Sequence, residues 1–361
     1  MIVDSVDALG WSRSGLAAIG ATRFGDLYTS EAVLAAERSG IFSRSWTLVA
    51  SAEQIADGRY VTACLGGAPT VVWRDADGVC RAFHNLCRHR GIPLLDGEGP
   101  TGRYVTCPYH QWSFARDGSL VRVPQPEQFP DLDPADYGLH PMAVTEWHGM
   151  VFACPAPNPP DFEESIAPLA ERIGDYLELP LVEVGRVDYR VRCNWKLLVE
   201  NHVDVYHLWY LHQASLAAYR HPSFEWEWVG DTWCSDEPLK DPSGAPDGID
   251  GITEAHRTGI GAHLLFPNLM VVTTADYLAT YDARPAGPEH TDLTLRVRSH
   301  PDADSDALIA AVRSFLAEDV KACESLQTAT SSPHFGVGVT AARHEAPIRQ
   351  LHSLLRERLA V

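Results

Sequence analysis

The sequence predicts an α+β protein of two domains, and three observations support this class. Its 361 residues, 45% hydrophobic and 21% charged, are enough for two hydrophobic cores. Between Trp46 and Cys154, short β-prone runs such as TVVWR and GMVFACP alternate with Gly, Asp and Pro, as in a small antiparallel β domain. Beyond the proline-rich stretch 155–161, helical and β-prone patterns alternate. The second domain is therefore expected to mix helices with a sheet.

These patterns divide the chain into three segments. Residues 1–42 are expected to form an N-terminal helical segment that packs on the second domain, residues 43–156 the β domain, and residues 157–361 the second domain. A serine cap and helical spacing predict a first helix over 30–42. In the second domain the patterns predict helices over 162–177, 195–208 and 305–329, β structure over 182–193, 263–274 and 278–299, and a loop over 237–251.

Composition and charge exclude several classes of partner. A formal net charge of −19 disfavours nucleic acids and anionic membrane surfaces, because both attract basic proteins. No apolar run approaches the roughly 20 residues that a membrane helix needs. The first residues lack the basic and apolar regions of a secretory signal. We therefore expect a cytoplasmic protein whose partners include neither nucleic acid nor membrane.

Two mixed Cys-His pairs lie at the ends of the stretch CRHRGIPLLDGEGPTGRYVTCPYH, namely Cys87 with His89 and Cys107 with His110. A structural zinc site usually takes Cys with Cys and His with His at short spacing, so the mixed pairs suit zinc poorly. A chance grouping of buried residues is the plainest alternative. A [2Fe-2S] cluster with two thiolates on one iron and two imidazoles on the other fits best, because each loop then supplies one ligand of each kind.

A second group of ligand-type residues lies in NWKLLVENHVDVYHLWYLH, which contains Asn201, Asp204, His207 and His212. The first three recur every third residue and would share one face of a helix. His207 and His212 are five residues apart, so they reach one metal ion only if the helix ends or distorts between them. Two histidines with one carboxylate are typical of non-haem iron sites that activate dioxygen.

The missing carboxylate is expected on the helix predicted over 305–329. Its core stripe contains Asp319 in the middle of apolar positions, Val312, Phe315, Ala322 with Cys323, and Leu326. A carboxylate there is costly unless it binds a cation. Glu318 is turned about 100° away on an ideal helix and Glu324 lies off the stripe, so both are expected to be surface acids.

The motifs together resemble the catalytic α subunit of Rieske non-haem iron oxygenases over nearly the full length. The similar segments are CRHRG, CPYHQW, NWK…EN…D…YH…LH, LLFPNLMV and AEDVKACE. One departure is Gln111, where the family commonly has Gly. The resemblance implies an antiparallel Rieske domain and an α/β helix-grip (START-like) catalytic domain. It also implies a [2Fe-2S] cluster on the mixed pairs and mononuclear Fe(II) on His207, His212 and Asp319.

The resemblance further implies partners and an assembly. The family takes electrons from NAD(P)H through a separate reductase, with or without a ferredoxin, and uses O2 as co-substrate. This chain has no Gly-rich dinucleotide fingerprint of its own. In a ring of three subunits, His110 of one subunit would meet Asp204 of its neighbour, which in turn would hold His207. Asn201 would lie near the iron.

The substrate is the least determined feature. A pocket formed by Val205, Trp209, His263, Leu265 and Phe315 would be apolar. We therefore expect hydroxylation or oxidative demethylation of a small organic, aromatic compound.

A quaternary-ammonium monooxygenase, acting on a choline-, betaine- or carnitine-like substrate, is the alternative. The stretch FEWEWVGDTW, with Phe224, Trp226 and Trp228, is compatible with a cation-binding aromatic cage, although a strand with one buried aromatic face is the simpler interpretation. Against this alternative, that branch often has Glu-Cys where this chain has Asp204-Val205. A weaker alternative is an electron-transfer or ligand-binding protein without oxygenase activity.

Overall fold

The computed structural model describes residues 8–220 and 225–361. These residues form two compact units, one of residues 42–162 and one that combines residues up to 41 with residues 163–361. The segment 155–161, expected to be a linker, belongs to the smaller unit, so that unit ends six residues beyond the limit of 156. Within the described ranges, no helix combines the length and apolarity needed to cross a membrane.

The smaller unit is built from antiparallel strands in two sheets. Its larger sheet has the order β1-β10-β9-β4-β3-β2-β5, and its smaller sheet the order β6-β7-β8. The strands are β1 (Thr47–Ser51), β2 (Arg59–Leu65), β3 (Ala68–Arg74), β4 (Cys80–His84), β5 (Glu98–Pro100), β6 (Tyr104–Thr106), β7 (Ser113–Ala115), β8 (Leu120–Arg122), β9 (Pro141–Trp147) and β10 (Met150–Cys154). One core cluster of this unit encloses Cys87 and Cys107 with Trp73, Trp112 and Phe114.

The larger unit combines helices with one antiparallel sheet of order β11-β17-β16-β15-β14-β13-β12. Its strands are β11 (Val182–Val191), β12 (Glu225–Val229), β13 (Thr232–Pro238), β14 (Gly259–Leu265), β15 (Leu269–Thr273), β16 (Leu278–Gly287) and β17 (His290–Ser299). Its helices are α1 (Arg13–Ala18), α2 (Glu31–Gly40), α3 (Phe162–Glu178), α4 (Trp195–Val203), α5 (Glu254–Arg257), α6 (Ser305–Thr330) and α7 (Ala346–Leu359). The predicted α+β class is confirmed.

The register of the sheet decides which side chains face the same way. Ser235 of β13 pairs with Ala262 of β14, which pairs with Val272 of β15. Because side chains alternate along a strand, Trp233, Ser235 and Glu237 share one face and their neighbours Cys234 and Asp236 the other. The loop predicted from 237 therefore begins later, since β13 runs through Pro238.

Helix α6 is the longest helix of the described chain and packs against α4 and β11. It covers residues 305–330, close to the predicted 305–329. Its buried residues are Val312, Leu316, Asp319, Cys323, Gln327 and Thr330. Three members of the predicted stripe differ: Phe315 and Ala322 are half-buried and Leu326 is 44% exposed. The stripe is rotated slightly, but Asp319 remains inside it.

A buried ion pair joins the N-terminal helix α2 to α4. Glu37 and Lys196 are each 1% exposed, and the ammonium of Lys196 donates to the carboxylate of Glu37. The indole nitrogen of Trp195 donates to the second oxygen of Glu37 at 2.9 Å. If either Glu37 or Lys196 moved away, the charge of the other would stay buried without a partner. The pair therefore holds the start of α4 against α2.

Candidate active site

Helix α4 ends just before the first histidine of the site. Asp204 is its C-cap with extended backbone (φ −79°, ψ 101°), and His207 begins a separate single turn, His207–Trp209. The helix predicted over 195–208 is therefore too long, and Asn201, Asp204 and His207 do not share one helix face. The break frees His207 from the helical spacing that would have directed it away from His212.

The side chains of His207, His212 and Asp319 converge on one point. One potential ligand atom from each lies within 4.8 Å of the other two. The Nε2 atom of His212 lies 2.9 Å from Oδ1 of Asp319, and Nε2 of His207 lies 3.5 Å from the same oxygen. Two imidazole nitrogens and one carboxylate are the donor set of a non-haem iron site with open positions.

Two neighbours complete the surroundings of Asp319. The amide nitrogen of Asn201 donates to its Oδ1 at 2.8 Å, and the ring of Phe315 stacks on that of His212 at 4.4 Å. Burial by itself would raise the pKa of Asp319, but hydrogen bonds from His207 and His212 hold this pKa below its usual range. The buried carboxylate is thus arranged to remain ionised, as a metal ligand must be.

Each imidazole is fixed through its other ring nitrogen. The Nδ1–H of His207 donates to the backbone carbonyl of Asp204, whose carboxylate is 3.8 Å away. The Nδ1–H of His212 donates to Glu318 at 2.6 Å, and the hydroxyl of Ser215 donates to the same oxygen at 2.7 Å. These contacts direct both Nε2 atoms toward Asp319, as outer partners of metal-binding histidines do.

Two expectations about acidic residues are corrected by these contacts. Glu318, expected to be a surface acid, holds His212, whereas Glu324 pairs with Arg192 at 2.9 Å. Although Glu318 is turned about 100° from the core stripe, its side chain reaches His212 in the segment that follows α4. Helical spacing alone does not reveal this contact. Asp204 was expected to hold His207 through its carboxylate, but its backbone carbonyl does so.

The carboxylate of Asp204 accepts a hydrogen bond from the backbone N–H of Tyr206 at 2.7 Å. Burial raises the pKa of Asp204 to about 6, and the nearby His207 partly offsets this effect. The ring of Tyr206 is 41% exposed and that of Tyr210 64% exposed. The two rings lie 5.3 Å apart and form an exposed aromatic pair close in sequence to Asp204.

A cavity opens beside the three converging side chains. Its walls include the side chains of Val205 and Phe315, as the sequence predicts, but not those of Trp209, His263 or Leu265. His263 and Leu265 point to the opposite face of β14 from Ala262, which lines the cavity. Trp209 instead packs its ring against His344 at 4.6 Å.

The stretch around Trp226 and Trp228 forms the strand of the simpler interpretation, with alternating half-buried aromatic and exposed acidic residues, and these two tryptophans form no cage around the cavity. Trp226 and Trp228 are half-buried in β12 and do not line the cavity, and Phe224 lies outside the described residues. The aromatic residues that line the cavity are Tyr219, Trp233, Tyr281 and Phe315. Trp233 belongs to the stretch FEWEWVGDTW, but the sequence did not predict that this residue lies on the next strand, β13, instead of β12.

The cavity also contains an acid that the sequence analysis missed. Glu237 is 3% exposed, and neither of its carboxylate oxygens has a hydrogen-bond partner among the described residues. Burial, assisted by the neighbouring charge of Asp236, raises the pKa of Glu237 to about 8. The alternating pattern of TWCSDEP was the available signal, but the proline after Glu237 favoured a loop.

The two Cys-His loops of the smaller unit have the same backbone conformation. Cys87 N–H donates to Ile92 O at 2.9 Å, and Cys107 N–H to Trp112 O at 2.8 Å. The residue four positions after each cysteine donates back to the cysteine carbonyl and has positive φ, +73° at Gly91 and +60° at Gln111. The left-handed conformation at Gln111 explains why glycine is common there.

These loops bring their ligand-type side chains together. Cys87 is 3% and Cys107 1% exposed, and the Nδ1 atoms of His89 and His110 lie 3.1 Å apart. The ring of His89 stacks on Trp112, with centroids 5.0 Å apart. Two buried thiols and two converging imidazoles fit the mixed ligand set of a Rieske cluster.

Comparison with known families agrees with both sites. Residues 45–138 match the Rieske [2Fe-2S] domain, and residues 179–361 match the ring hydroxylating alpha subunit (catalytic domain). The chain belongs to this α-subunit family. It is a Rieske non-haem iron oxygenase, with a [2Fe-2S] cluster, a mononuclear iron site and dioxygen as co-substrate. The alternative of an electron-transfer or ligand-binding protein without oxygenase activity is therefore set aside.

Several relatives act on quaternary ammonium compounds. Chloroplastic choline monooxygenase of Beta vulgaris is 29% identical over 345 residues, covering 92% of this chain and 76% of that protein. The glycine betaine monooxygenase oxygenase subunit of Chromohalobacter salexigens is 37% identical over 183 residues, which is 50% of this chain and 40% of that one. The crystal structure of the quaternary ammonium Rieske monooxygenase CntA with an inhibitor superposes with a TM-score of 0.80 at 25% identity, covering 92% and 94% of the two chains.

Replacing Glu318 tests the arrangement around His212. Glu318→Ala removes the carboxylate that orients this imidazole, so it is expected to weaken Fe(II) binding by about 10- to 100-fold. The measurement is mononuclear iron retained against graded chelator, with the cluster followed by its visible absorption. Glu324→Ala is the matched control, because Glu324 lies on the same helix but pairs with Arg192. Equal iron affinity in both variants would contradict the role of Glu318.

Proposed function

We propose that this oxygenase inserts one oxygen atom into a C–H bond of a small quaternary ammonium compound. The C–H bond breaks and a C–O bond forms to that carbon. The second oxygen atom of O2 leaves as water, with two electrons from a partner reductase, directly or through a ferredoxin, and two protons from solvent. Hydroxylation of a methyl group on nitrogen would be followed by loss of formaldehyde, and hydroxylation of an alcohol carbon by formation of an aldehyde.

The observation that carries this proposal is the unpartnered carboxylate of Glu237 in the cavity. The cavity is otherwise largely apolar and includes the rings of Tyr219, Trp233 and Tyr281. A buried carboxylate without a partner is costly, and a cation in the cavity would compensate it. Aromatic rings attract an alkylated ammonium group through their electron-rich faces, so rings and carboxylate favour the same ligand. Beside a neutral aromatic substrate Glu237, with its pKa of about 8, would be mostly protonated and would still lack a hydrogen-bond partner among the described residues.

The relatives support the same substrate class. Our first expectation was an aromatic substrate, with quaternary ammonium compounds as the alternative. The choline and glycine betaine enzymes and CntA favour that alternative. The Asp204-Val205 pair, with Val205 in the cavity wall, still counts against that alternative, whereas Glu237 on β13 favours it.

The residues of the two metal sites have distinct proposed roles. Cys87, Cys107, His89 and His110 would hold the cluster, and His207, His212 and Asp319 would hold Fe(II). When bound, the cluster stores single electrons and the iron activates dioxygen at its open positions. The chain itself keeps Asp319 ionised through its two imidazoles and directs the amide of Asn201 to the same oxygen. The apolar cavity walls exclude water from the reacting C–H bond.

We further propose a homotrimer in which Asp204 contacts His110 of the partner subunit. Asp204 adjoins His207 and accepts a hydrogen bond from the backbone N–H of Tyr206, whose ring is exposed like that of Tyr210. Exposed aromatic residues beside a half-buried carboxylate are suited to an interface. The solved CntA structure, described as revealing inter-subunit electron transfer, supports this arrangement.

The proposed substrate class is tested by coupled oxidation. The purified oxygenase, supplied with a surrogate reductase and NADH, is expected to consume O2 in proportion to product when given choline or other trimethylammonium compounds. Benzoate, indole and naphthalene, offered under the same conditions, are expected to give no product. Products are identified by mass spectrometry with ¹⁸O2. Turnover of an aromatic compound without turnover of any ammonium compound would refute the proposal.

Replacement of Asp204 tests the subunit contact. Asp204→Ala is expected to retain both metals and the trimer but to lower turnover with a reductase by about 10- to 100-fold, because the carboxylate link to His110 of the partner subunit is lost. Iron and sulfide analysis and light scattering are the accompanying measurements. Glu225→Ala, at an exposed strand position, is the control. Turnover of Asp204→Ala within about twofold of the control would contradict the proposed contact.

A further inference from the structure

We infer that the substrate is an ammonium cation without a carboxylate, and that Glu237 is its counter-ion and the residue that selects it. This inference rests on the proposed function and narrows it. It separates simple ammonium alcohols and alkylammonium ions, which carry one positive charge, from betaine-like compounds, which carry both signs. The distinction follows from the charges that line the cavity.

Among the described residues that line the cavity, Glu237 is the one acid outside the proposed iron ligands. Glu237 lies on β13 with its carboxylate in the cavity, at 3% exposure and without a hydrogen-bond partner. Burial and the charge of Asp236 both raise its pKa, and no cationic side chain lowers it. Asp236 itself faces the other side of the sheet, where Arg172 lies 3.6 Å away. The carboxylate of Glu237 is therefore available to a ligand.

Among the described residues that line the cavity none is Lys or Arg, so no such side chain there balances a substrate carboxylate. His202 lines the cavity, but burial lowers its pKa to about 4, so it is neutral at pH 7. Its Nε2 also lies 2.9 Å from the backbone carbonyl of His263. His207, the other lining histidine, is committed to the iron site.

Two neutral polar groups remain for the rest of the substrate. The hydroxyls of Ser235 and Tyr281 are buried and lack hydrogen-bond partners among the described residues. Ser235 is two residues from Glu237 on the same face of β13. These hydroxyls can bind an alcohol oxygen, but they cannot balance the charge of a carboxylate.

The charge balance decides between the two substrate types. A monocation beside Glu237 makes a neutral pair. A zwitterion adds a third carboxylate to a cavity that already contains Glu237 and Asp319, and an unpaired buried charge is strongly unfavourable. The only other cation in the cavity would be the mononuclear iron, whose open positions are needed for dioxygen.

Binding of the cation is also expected to depend on pH. The carboxylate of Glu237 has a pKa of about 8 in the empty cavity, and the cation binds its ionised form. Below pH 8 binding must therefore displace a proton, so affinity should rise about tenfold per pH unit between pH 6 and 8 and then level off. The other titratable lining groups are His202, Tyr219, Tyr281 and the iron-site residues His207 and Asp319. The pKa of His202 is lowered to about 4 and those of both tyrosines are raised above 10, outside this interval.

Calorimetric titration of the iron-loaded, fully assembled enzyme tests the inference without turnover. The probes are choline, glycine betaine, L-carnitine and 3,3-dimethylbutan-1-ol, the uncharged carbon analogue of choline. Choline is expected to bind at least about 100-fold more tightly than either zwitterion and than the neutral analogue. Its affinity should follow the pH dependence given above. Failure of choline to bind would overturn the inference.

Two variants connect this preference to Glu237. Glu237→Gln is expected to weaken choline binding by about 100-fold, abolish its pH dependence and leave the weak binding of the neutral analogue unchanged. Asp236→Asn, the adjacent acid on the opposite face, is the matched control and is expected to bind choline like the parent enzyme above pH 8, where Glu237 is ionised in both proteins. Iron content and thermal midpoint of each variant show whether it is folded and loaded.

The remaining outcomes separate this inference from the proposed function. Equal binding and turnover of glycine betaine or L-carnitine and choline would overturn the carboxylate-free substrate while leaving the quaternary ammonium oxygenase intact. Equal binding of 3,3-dimethylbutan-1-ol and choline would show that charge is not recognised and would overturn the role of Glu237. Turnover of neutral aromatic compounds alone would overturn both.

Discussion

The structure of the catalytic unit depends on one constraint, the burial of Asp319 on the apolar face of α6. An ionised carboxylate in such a place needs positive or hydrogen-bonding partners, and the chain supplies them from one segment. Helix α4 ends at Asp204 so that His207 and His212 reach this oxygen, while Asn201 donates to it from the last turn of the helix. A bound Fe(II) ion would supply the remaining positive charge needed to balance the carboxylate of Asp319.

Two carboxylates of the same cavity are held in opposite states. The imidazoles around Asp319 keep its pKa low, whereas burial without partners raises that of Glu237 to about 8. Environments that separate the pKa values of two acids usually separate their tasks. Here the ionised acid is suited to a metal ion and the uncompensated acid to a cationic substrate. The iron site and the proposed substrate site therefore share one apolar cavity but use different carboxylates, Asp319 and Glu237.

Short sequence patterns predicted those features of the protein that depend on residues close together in the chain. Spacing and periodicity indicated the mixed Cys-His loops and the buried position of Asp319, the family resemblance assigned His207 and His212 to the same iron, and the structure brings each set together. Three-dimensional proximity was not predictable in the same way. Glu318 reaches His212 across 106 residues of sequence, and Glu237 enters the cavity because β13 continues past the expected loop boundary. His263 and Leu265 were misplaced because the sequence does not state which face of β14 lines the cavity.

The central claim is that the converging side chains of the larger unit bind a single iron. Crystals of the iron-loaded protein, measured at the iron absorption edge, test it directly by anomalous scattering. We predict one isolated iron peak bounded by Nε2 of His207, Nε2 of His212 and the carboxylate of Asp319, separate from the two-iron peak of the cluster. An isolated iron held by other residues, or no iron beside Asp319 in protein that turns over substrate, would contradict the account.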